Sequence, residues 1–193
     1  DYSKCKTAKI WNKNGSIKFA DTFDTKESEE NYKFYNEELA HFSVKDGALI
    51  CEDTKSWEAG ATVINNSYRD FTMKFKLKIV SSANGWMSIG LRKNNPIGNH
   101  NNSGVSVMIG PSGGMFFFDS ETQKQSSNAT FEGFEVGEWY DVRIDAMGEN
   151  ISVYVNGKKM MSYTDKKYYE GFISFTSGMT NFEIDNLTIT PKN

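Results

Sequence analysis

The sequence predicts an all-β fold, an antiparallel sandwich, and three observations carry that expectation. About twelve short segments of alternating apolar character recur along the 193 residues. Gly- and Asn-containing turns separate them, with Asp46-Gly47 and Asn156-Gly157 the strongest hairpin signals. Scarcely any stretch reads as helix, so the strands must pack on one another.

Composition bounds the rest. With 38% hydrophobic and 14% aromatic residues the chain can build a sizeable core, which argues against disorder. Residues 139–190 carry no second core signal, so we expect one domain over 17–193, preceded by a linker or docking segment, 1–16. A net charge of -3 leaves no basic footprint and disfavours nucleic acid as a partner. There is no apolar run of membrane-spanning length and no recognisable signal peptide. The chain opens at Asp1 without a Met and reads as a mature or excised piece. Its two cysteines, Cys5 and Cys51, are either one disulfide, which would suit an extracellular protein, or two free thiols. Without a CxxC, and with His41 and His100 the sole histidines, a cysteine-based metal site is disfavoured.

Taken in order, Ile17, Phe19 and Phe23 open the domain as an inward-facing row, and Glu27 to Leu39 is a charged loop or single helical turn. Phe42 to Val44 and Ala48 to Cys51 form a hairpin, and Trp57 begins a strand that reaches Ile64. In Phe71 to Val80, apolar residues alternate with Thr72, Lys74, Lys76 and Lys78, whose lysine row is a wetted outer face. Val105 to Ile109 and Met115 to Asp119 follow, then a polar loop from Glu121 to Asn128. Tyr140 to Asp145, Ile151 to Val155, Gly171 to Phe175 and Phe182 to Ile189 complete the set.

Gly85 to Lys93 is the segment that suggests chemistry. Alternation puts Met87, Ile89 and Leu91 on a core face and Trp86, Ser88, Gly90 and Arg92 on the other. An aromatic plate and a guanidinium with small residues between them suit a sugar ring. The alternative is a surface Arg lying over a half-buried Trp as a cation–π pair. Trp57 with Glu58 beside it, and Asn94 and Asp119 at the ends of neighbouring strands, are candidates to complete a shallow site; Tyr154 is a further outward-facing aromatic.

The order of these pieces resembles the concanavalin A-like (LamG-type) jelly-roll superfamily, over roughly residues 17 to 190. The resemblance rests on Phe19-Ala20-Asp21-Thr22-Phe23-Asp24, Phe42-Ser43-Val44-Lys45-Asp46-Gly47-Ala48-Leu49-Ile50 and Ser88-Ile89-Gly90-Leu91-Arg92. Gly137-Glu138-Trp139-Tyr140-Asp141-Val142-Arg143-Ile144, Ile151-Ser152-Val153-Tyr154-Val155-Asn156-Gly157 and Phe182-Glu183-Ile184-Asp185-Asn186-Leu187-Thr188-Ile189 complete it. Within that superfamily the chain is similar to fructan-binding modules attached to levanases and to 3-keto-disaccharide-hydrolase-like domains. Arg92 matches the Arg that ends a Gly-x-x-x-Arg-like strand in this group. The resemblance implies a jelly roll that grips a terminal sugar with an aromatic residue and a few charged groups. Fold does not fix function, since this architecture hosts lectins, hydrolases, lyases and adhesion modules.

Catalytic signals are weak. Neither histidine sits in a nucleophilic-triad setting. Glu183-Ile184-Asp185 begins the acidic motif of the sandwich glucanases, but Thr188 stands where the second Glu belongs, and the segment lies on the closing strand. Calcium is the expected ion: Asp21 or Asp24 near the first strand could share it with Asp185 near the last, if those strands run side by side. The same three acids read equally as turn and edge residues. The sequence thus predicts a secreted or cell-surface, non-catalytic carbohydrate-binding module, tethered in its parent chain to a catalytic domain. Trp86, Arg92, Trp57, Glu58, Asn94 and Asp119 are its ligand-binding candidates. A hydrolase of the 3-keto-disaccharide type and a protein-binding adhesin or stalk are the alternatives.

Overall fold

The computed structural model describes residues 18–52, 54–55, 57–64, 66–97 and 104–192. The N-terminal segment 1–16, Cys5 and His100 lie outside the described residues. The strands are β1 (Phe19–Asp21), β2 (Tyr32–Tyr35), β3 (His41–Lys45), β4 (Ala48–Glu52), β5 (Trp57–Val63), β6 (Phe71–Lys93) and β7 (Val105–Ile109). They continue with β8 (Gly114–Asp119), β9 (Lys124–Thr130), β10 (Trp139–Met147), β11 (Asn150–Val155), β12 (Lys158–Thr164) and β13 (Phe172–Pro191). The charged stretch after β1 forms a 3-10 helix, Lys26–Asn31, and Glu29 Oε1 accepts the Val44 N–H from it.

All pairings are antiparallel, and two long strands organise them. The first half of β6 and the second half of β13 lie in one layer, ordered β12-β11-β10-β6-β13-β4-β3. The second half of β6 and the first half of β13 lie in the other, where β2-β5 flanks β13 and β7-β8-β9 flanks β6. Phe75 of one layer meets Phe175 of the other at 5.5 Å, and Phe117 of β8 stacks on Tyr163 of β12 at 5.3 Å. Met73, Leu77, Ile89, Leu91, Val107, Ile144, Val153 and Ile184 are buried between the layers. Each fully buried side chain of this kind contributes about 1.5–3 kcal/mol relative to exposure. The antiparallel sandwich expected from alternation, and the jelly roll that the resemblance implies, is therefore the fold.

The turns follow their chemistry. Asp46 and Gly47 both take positive φ (54° and 78°), as do Asn156 and Gly157 (47° and 79°), the backbone that two-residue hairpins need. They close the β3–β4 and β11–β12 hairpins. The lysine row is solvated as expected: Lys74 and Lys76 are exposed, while Lys78 pairs with Glu183 and lies 4.8 Å over the Trp139 ring. Glu183 and Asp185 thus belong to the outer face of the first layer, together with Tyr154, whose ring is covered by Arg143 at 3.8 Å. Cys51 is buried, and burial pushes its thiol up to about 12; Cys5, the partner in the disulfide alternative, lies outside the described residues.

Candidate functional site

The outer face of the second layer is built from small polar and aromatic residues. One cross-strand row reads Lys33–Thr62–Ser174–Gly90–Ser106–Phe118, the next Tyr35–Gly60–Thr176–Ser88–Met108–Phe116. A third carries Trp57, Gly178 and Trp86. Glycines make room for the rings. A Cβ on Gly110 would fall 2.8 Å from Trp86 Cζ3, and one on Gly178 would meet the Trp57 ring. Both tryptophans are half-buried, so each is held in place and keeps part of its ring exposed. Trp86 is further braced by Phe116, edge-on at 4.8 Å.

The hydroxyls on this face are not satisfied by the sheet. Thr62 Oγ1, Ser88 Oγ and Ser106 Oγ are buried and find no hydrogen-bond partner among the described residues. A buried hydroxyl left unpaired costs about 1–3 kcal/mol, so three on one face point to a ligand that supplies the missing bonds. Tyr35 reaches over Gly60 to hydrogen-bond Thr176 Oγ1 at 2.9 Å. Burial pushes its phenol far above the usual range, and the nearby Glu58 carboxylate pushes in the same direction.

Two β-bulges border the face, each with a non-glycine residue at positive φ. At the start of β5, Trp57 and Glu58 stand where the pairing with β13 shifts register, and Glu58 has φ 85°. At the end of β6 the register with β13 shifts again, and Arg92 has φ 53°. Such bulges re-aim side chains, and strained backbone of this kind collects at functional sites.

The second bulge corrects the reading of Arg92. Alternation predicts an exposed guanidinium beside Trp86, whereas Arg92 is 1% exposed and turned to the end of the sandwich. Its Nε and Nη2 donate to Arg69 O at 3.1 and 2.9 Å, and Nη2 also to Gly148 O at 2.7 Å. Nη1 donates to Tyr168 O at 2.9 Å and Asp165 Oδ2 at 3.2 Å. The five donors of the guanidinium are thereby engaged by protein. In its place the bulge brings Lys93 onto the face, with its stem 2.8 Å from where a Gly90 Cβ would sit. Lys93 Nζ donates to Ser120 Oγ at 3.0 Å. Burial lowers the amine to about 7, against a smaller opposing pull from Asp119.

The other candidates divide. Trp57, Glu58 and Trp86 come together on the face. Asn94 is exposed just past the end of β6. Asp119 ends β8 but turns away: its Oδ1 accepts the N–H groups of Glu121 (2.9 Å) and Thr122 (3.1 Å), and Oδ2 lies 3.7 Å from Lys167 Nζ. Burial raises its carboxyl, yet the Thr122 and Glu121 N–H groups and Lys167 outweigh that and leave it below the ordinary value.

The acids expected to hold calcium are near the predicted strand pair but do not assemble a cation site. β1 does run beside β13, with Asp21 opposite Leu187. Asp21, however, accepts from Phe23 N, Ser28 Oγ, Asn31 Nδ2 and Tyr32 OH, a set of donors that organises a loop and does not fit a cation. Asp24 accepts from Thr22 Oγ1, and Asp185 from the N–H and Nδ2 of Asn186. Among the described residues no three His, Cys, Asp or Glu side chains converge as a metal-binding group.

Lys93, Ser106, Thr62 and Tyr35 escaped the sequence reading. Serines and threonines inside strands were a visible signal, but nothing in the letters marks a bulge at Arg92.

Comparison with solved structures defines the class, a concanavalin A-like jelly roll. The chain is similar to carbohydrate-binding module CBM66 of Bacillus subtilis (13% identity, TM-score 0.68, covering 83% of this chain and 95% of the module). It is similar to the Bacillus licheniformis β-glucanase (10% identity, TM-score 0.67, 93% and 99% covered). A Parabacteroides distasonis protein described as a glycosyl hydrolase also matches (17% identity, TM-score 0.64, 91% and 100% covered). These likenesses establish the fold. The chain belongs to the 3-keto-alpha-glucoside-1,2-lyase-like domain family, which matches residues 11–190. That match begins inside the segment expected to be a linker. No curated protein matches the chain. Family and fold together make it a carbohydrate-binding or glycosyl-hydrolase-like jelly-roll domain.

Proposed function

We propose that the outer face of the second layer binds a short or terminal sugar unit without cleaving it, as a module of a larger extracellular carbohydrate-active protein. The observation that carries this reading is the set of buried hydroxyls without partners among the described residues, Thr62 and Ser106 in one cross-strand row and Ser88 in the next, on the face that holds two half-buried tryptophans. Sugar hydroxyls donate and accept, so they answer such groups, and an indole stacks on the apolar side of a pyranose or furanose. Glu58 and Lys93 add charge at two edges of the face, where they can read the orientation of the sugar. Arg92 acts here by fixing the bulge that aims Lys93, and Asp119 by closing the turn after β8.

The test is a glycan array followed by titration of the hit with Trp57→Ala and Trp86→Ala. Each variant should weaken binding at least about tenfold, on the order of 1.4 kcal/mol, while the domain stays folded. Full retention in both would remove this face from the account. A second reading, a lyase acting on a 3-keto-glucoside as the family description has it, is favoured by one observation: a buried lysine amine lies on the face. Such a substrate carries a ketone at C3, the group an amine of this kind can address.

A further inference from the structure

We propose that the outer face of the second layer takes an internal stretch of a neutral, extended β-linked glycan, at least three units long, laid across the strands with alternate units stacked on Trp57 and Trp86. The inference rests on the sugar-binding reading of that face and decides between its two forms, a short stretch and a lone terminal unit.

The spacing of the two indoles carries it. Trp57, Gly178 and Trp86 share one cross-strand row on β5, β13 and β6. Trp57 joins that row through the bulge at Glu58, whose φ is 85°. Neither ring stands over its own strand. The Trp57 ring covers Gly178 on β13, where a Cβ would strike its Cε3 and Cζ3. The Trp86 ring covers Gly110, just past the end of β7, where a Cβ would fall 2.8 Å from Cζ3; its tip, Cη2, is 3.6 Å from where a Gly114 Cβ would sit. Each indole is thus shifted by one strand in the same direction, from β5 to β13 and from β6 to β7. The rings are therefore two strand spacings apart, about 10 Å. That is the reach of a disaccharide repeat, so the first and third units of a chain fall on the two rings and the second lies between them. In an extended β-linked chain, alternate units also turn the same face to the protein, as stacking on both indoles requires. A lone terminal unit covers one ring only.

The surroundings of the row suit the middle unit. Where β6 and β13 pass from this layer to the other, beside the row, lies a cavity of about 250 Å³ lined by Thr54, Ser81, Ser82, Ala83, Met179 and Asn181. Asn181 Oδ1 accepts from the Thr54 N–H at 3.2 Å and from Thr54 Oγ1 at 2.7 Å, while its Nδ2 donates to Ser81 Oγ at 3.0 Å. These bonds fix the amide and leave its second N–H and the Ser81 O–H for a sugar oxygen. Ala83 and Met179 supply the apolar wall that the carbon face of a sugar needs. No residue of the row or the cavity is cationic, so neither draws a uronate or a sulfate, and Glu58 beside Trp57 repels one.

The experiment titrates the full chain by calorimetry with cello- and manno-oligosaccharides of one to six units, and with maltohexaose as an α-linked, coiled control. In at least one β-linked ladder, affinity should rise about tenfold or more between two and three units, because the second ring is then engaged intramolecularly. It should level off beyond three, and maltohexaose should show no such gain. Trp57→Ala and Trp86→Ala should each abolish the step, and Asn181→Ala should shrink it. If a tryptophan variant fails to fold, the wild-type ladder decides alone. Equal affinity along both ladders, an unchanged step in the tryptophan variants, or equal affinity for maltohexaose would overturn the proposal. A terminal sugar bound on the glycan array, with no response from either ladder, would overturn it and leave the sugar-binding face standing. No sugar bound in either assay would overturn both.

Discussion

The two halves of β6 obey the same alternation and present opposite surfaces. In the half within the first layer, the outward residues are Thr72, Lys74, Lys76 and Lys78, and the sheet itself answers them. Thr72 donates to Asp145 at 2.8 Å, Lys76 stands between Asp141 and Asp185, and Lys78 pairs with Glu183. In the half within the second layer, the outward residues are Trp86, Ser88 and Gly90, and then Lys93 after the bulge. There the neighbouring strands offer other hydroxyls and rings, and Ser88 and Ser106 stay unpaired among the described residues. A surface that completes its own hydrogen bonds and charges has no use for a ligand. One that buries hydroxyls without partners gains free energy when a polyhydroxylated molecule arrives.

The largest effect that would test this contrast is structural. Arg92→Met removes a buried guanidinium and takes its hydrogen bonds from Asp165 Oδ2 and from the carbonyls of Arg69, Gly148 and Tyr168, leaving the buried carboxylate with the Lys167 and Tyr168 N–H groups on Oδ1 and no cation among the described residues. Breaking a buried pair in this way costs about 3–5 kcal/mol. Urea denaturation should register the loss in the midpoint, and a cost below about 1 kcal/mol would mean that the bulge does not depend on Arg92. Next in size is Gly90→Ala. Its Cβ would meet Ser174 Oγ at 2.4 Å and Lys93 Cε at 2.8 Å, an overpacking worth about 1–3 kcal/mol. The same substitution should weaken sugar binding, because relief of the clash displaces Lys93. Unchanged binding would separate Lys93 from the site.

The contrast also marks what the sequence could and could not reveal. Strand identity was legible wherever one face is buried, as in Phe71 to Ile79, because alternation is forced by burial. Three strands were not: β9 (Lys124–Thr130) is polar and largely exposed, β12 (Lys158–Thr164) carries an extra residue, Met160, where its register with β11 shifts, and β2 (Tyr32–Tyr35) is hidden in a charged stretch after the 3-10 helix. The outward place of Trp86 was foreseeable from parity, whereas Trp57 joins it on that face only through the bulge at Glu58. The Arg92 position was not, because one residue at positive φ reverses parity for everything after it, and no side-chain preference announces it at an arginine. The hydroxyls of Thr62 and Ser106 look like ordinary strand residues until register sets them in one cross-strand row, with Ser174 and Gly90 between them.

A subtler effect comes from the cost of desolvating Lys93. Its amine is near 7 in the folded chain and near 10.5 when unfolded. Between those values the unfolded state holds more protons, so stability should rise as pH climbs from about 7 to 10.5. Below about 7 the cost is present in full. Lys93→Met should be more stable than the parent near pH 7 and should flatten this rise, read by urea midpoints at pH 7 and 9. Equal slopes in both proteins would place the amine in water and return the face to ordinary surface.

The smallest effect belongs to the first layer and is the sharpest control. Lys78 and Glu183 are each about one-fifth exposed, and Lys78 also lies over the Trp139 ring. Part of their attraction is spent in screening and side-chain entropy, so Lys78→Ala should cost about 0–1 kcal/mol, and less at high salt. Sugar affinity should not move, because the pair lies on the opposite layer from Trp57 and Trp86. The two measurements bear on different claims. A larger stability cost would mean that this half of β6 relies on its ion pair and ring contact more than a solvated face does. A loss of sugar binding would carry the ligand to the lysine face, since β6 transmits no contact from Lys78 to Ser88 except through backbone already fixed on both sides by β13.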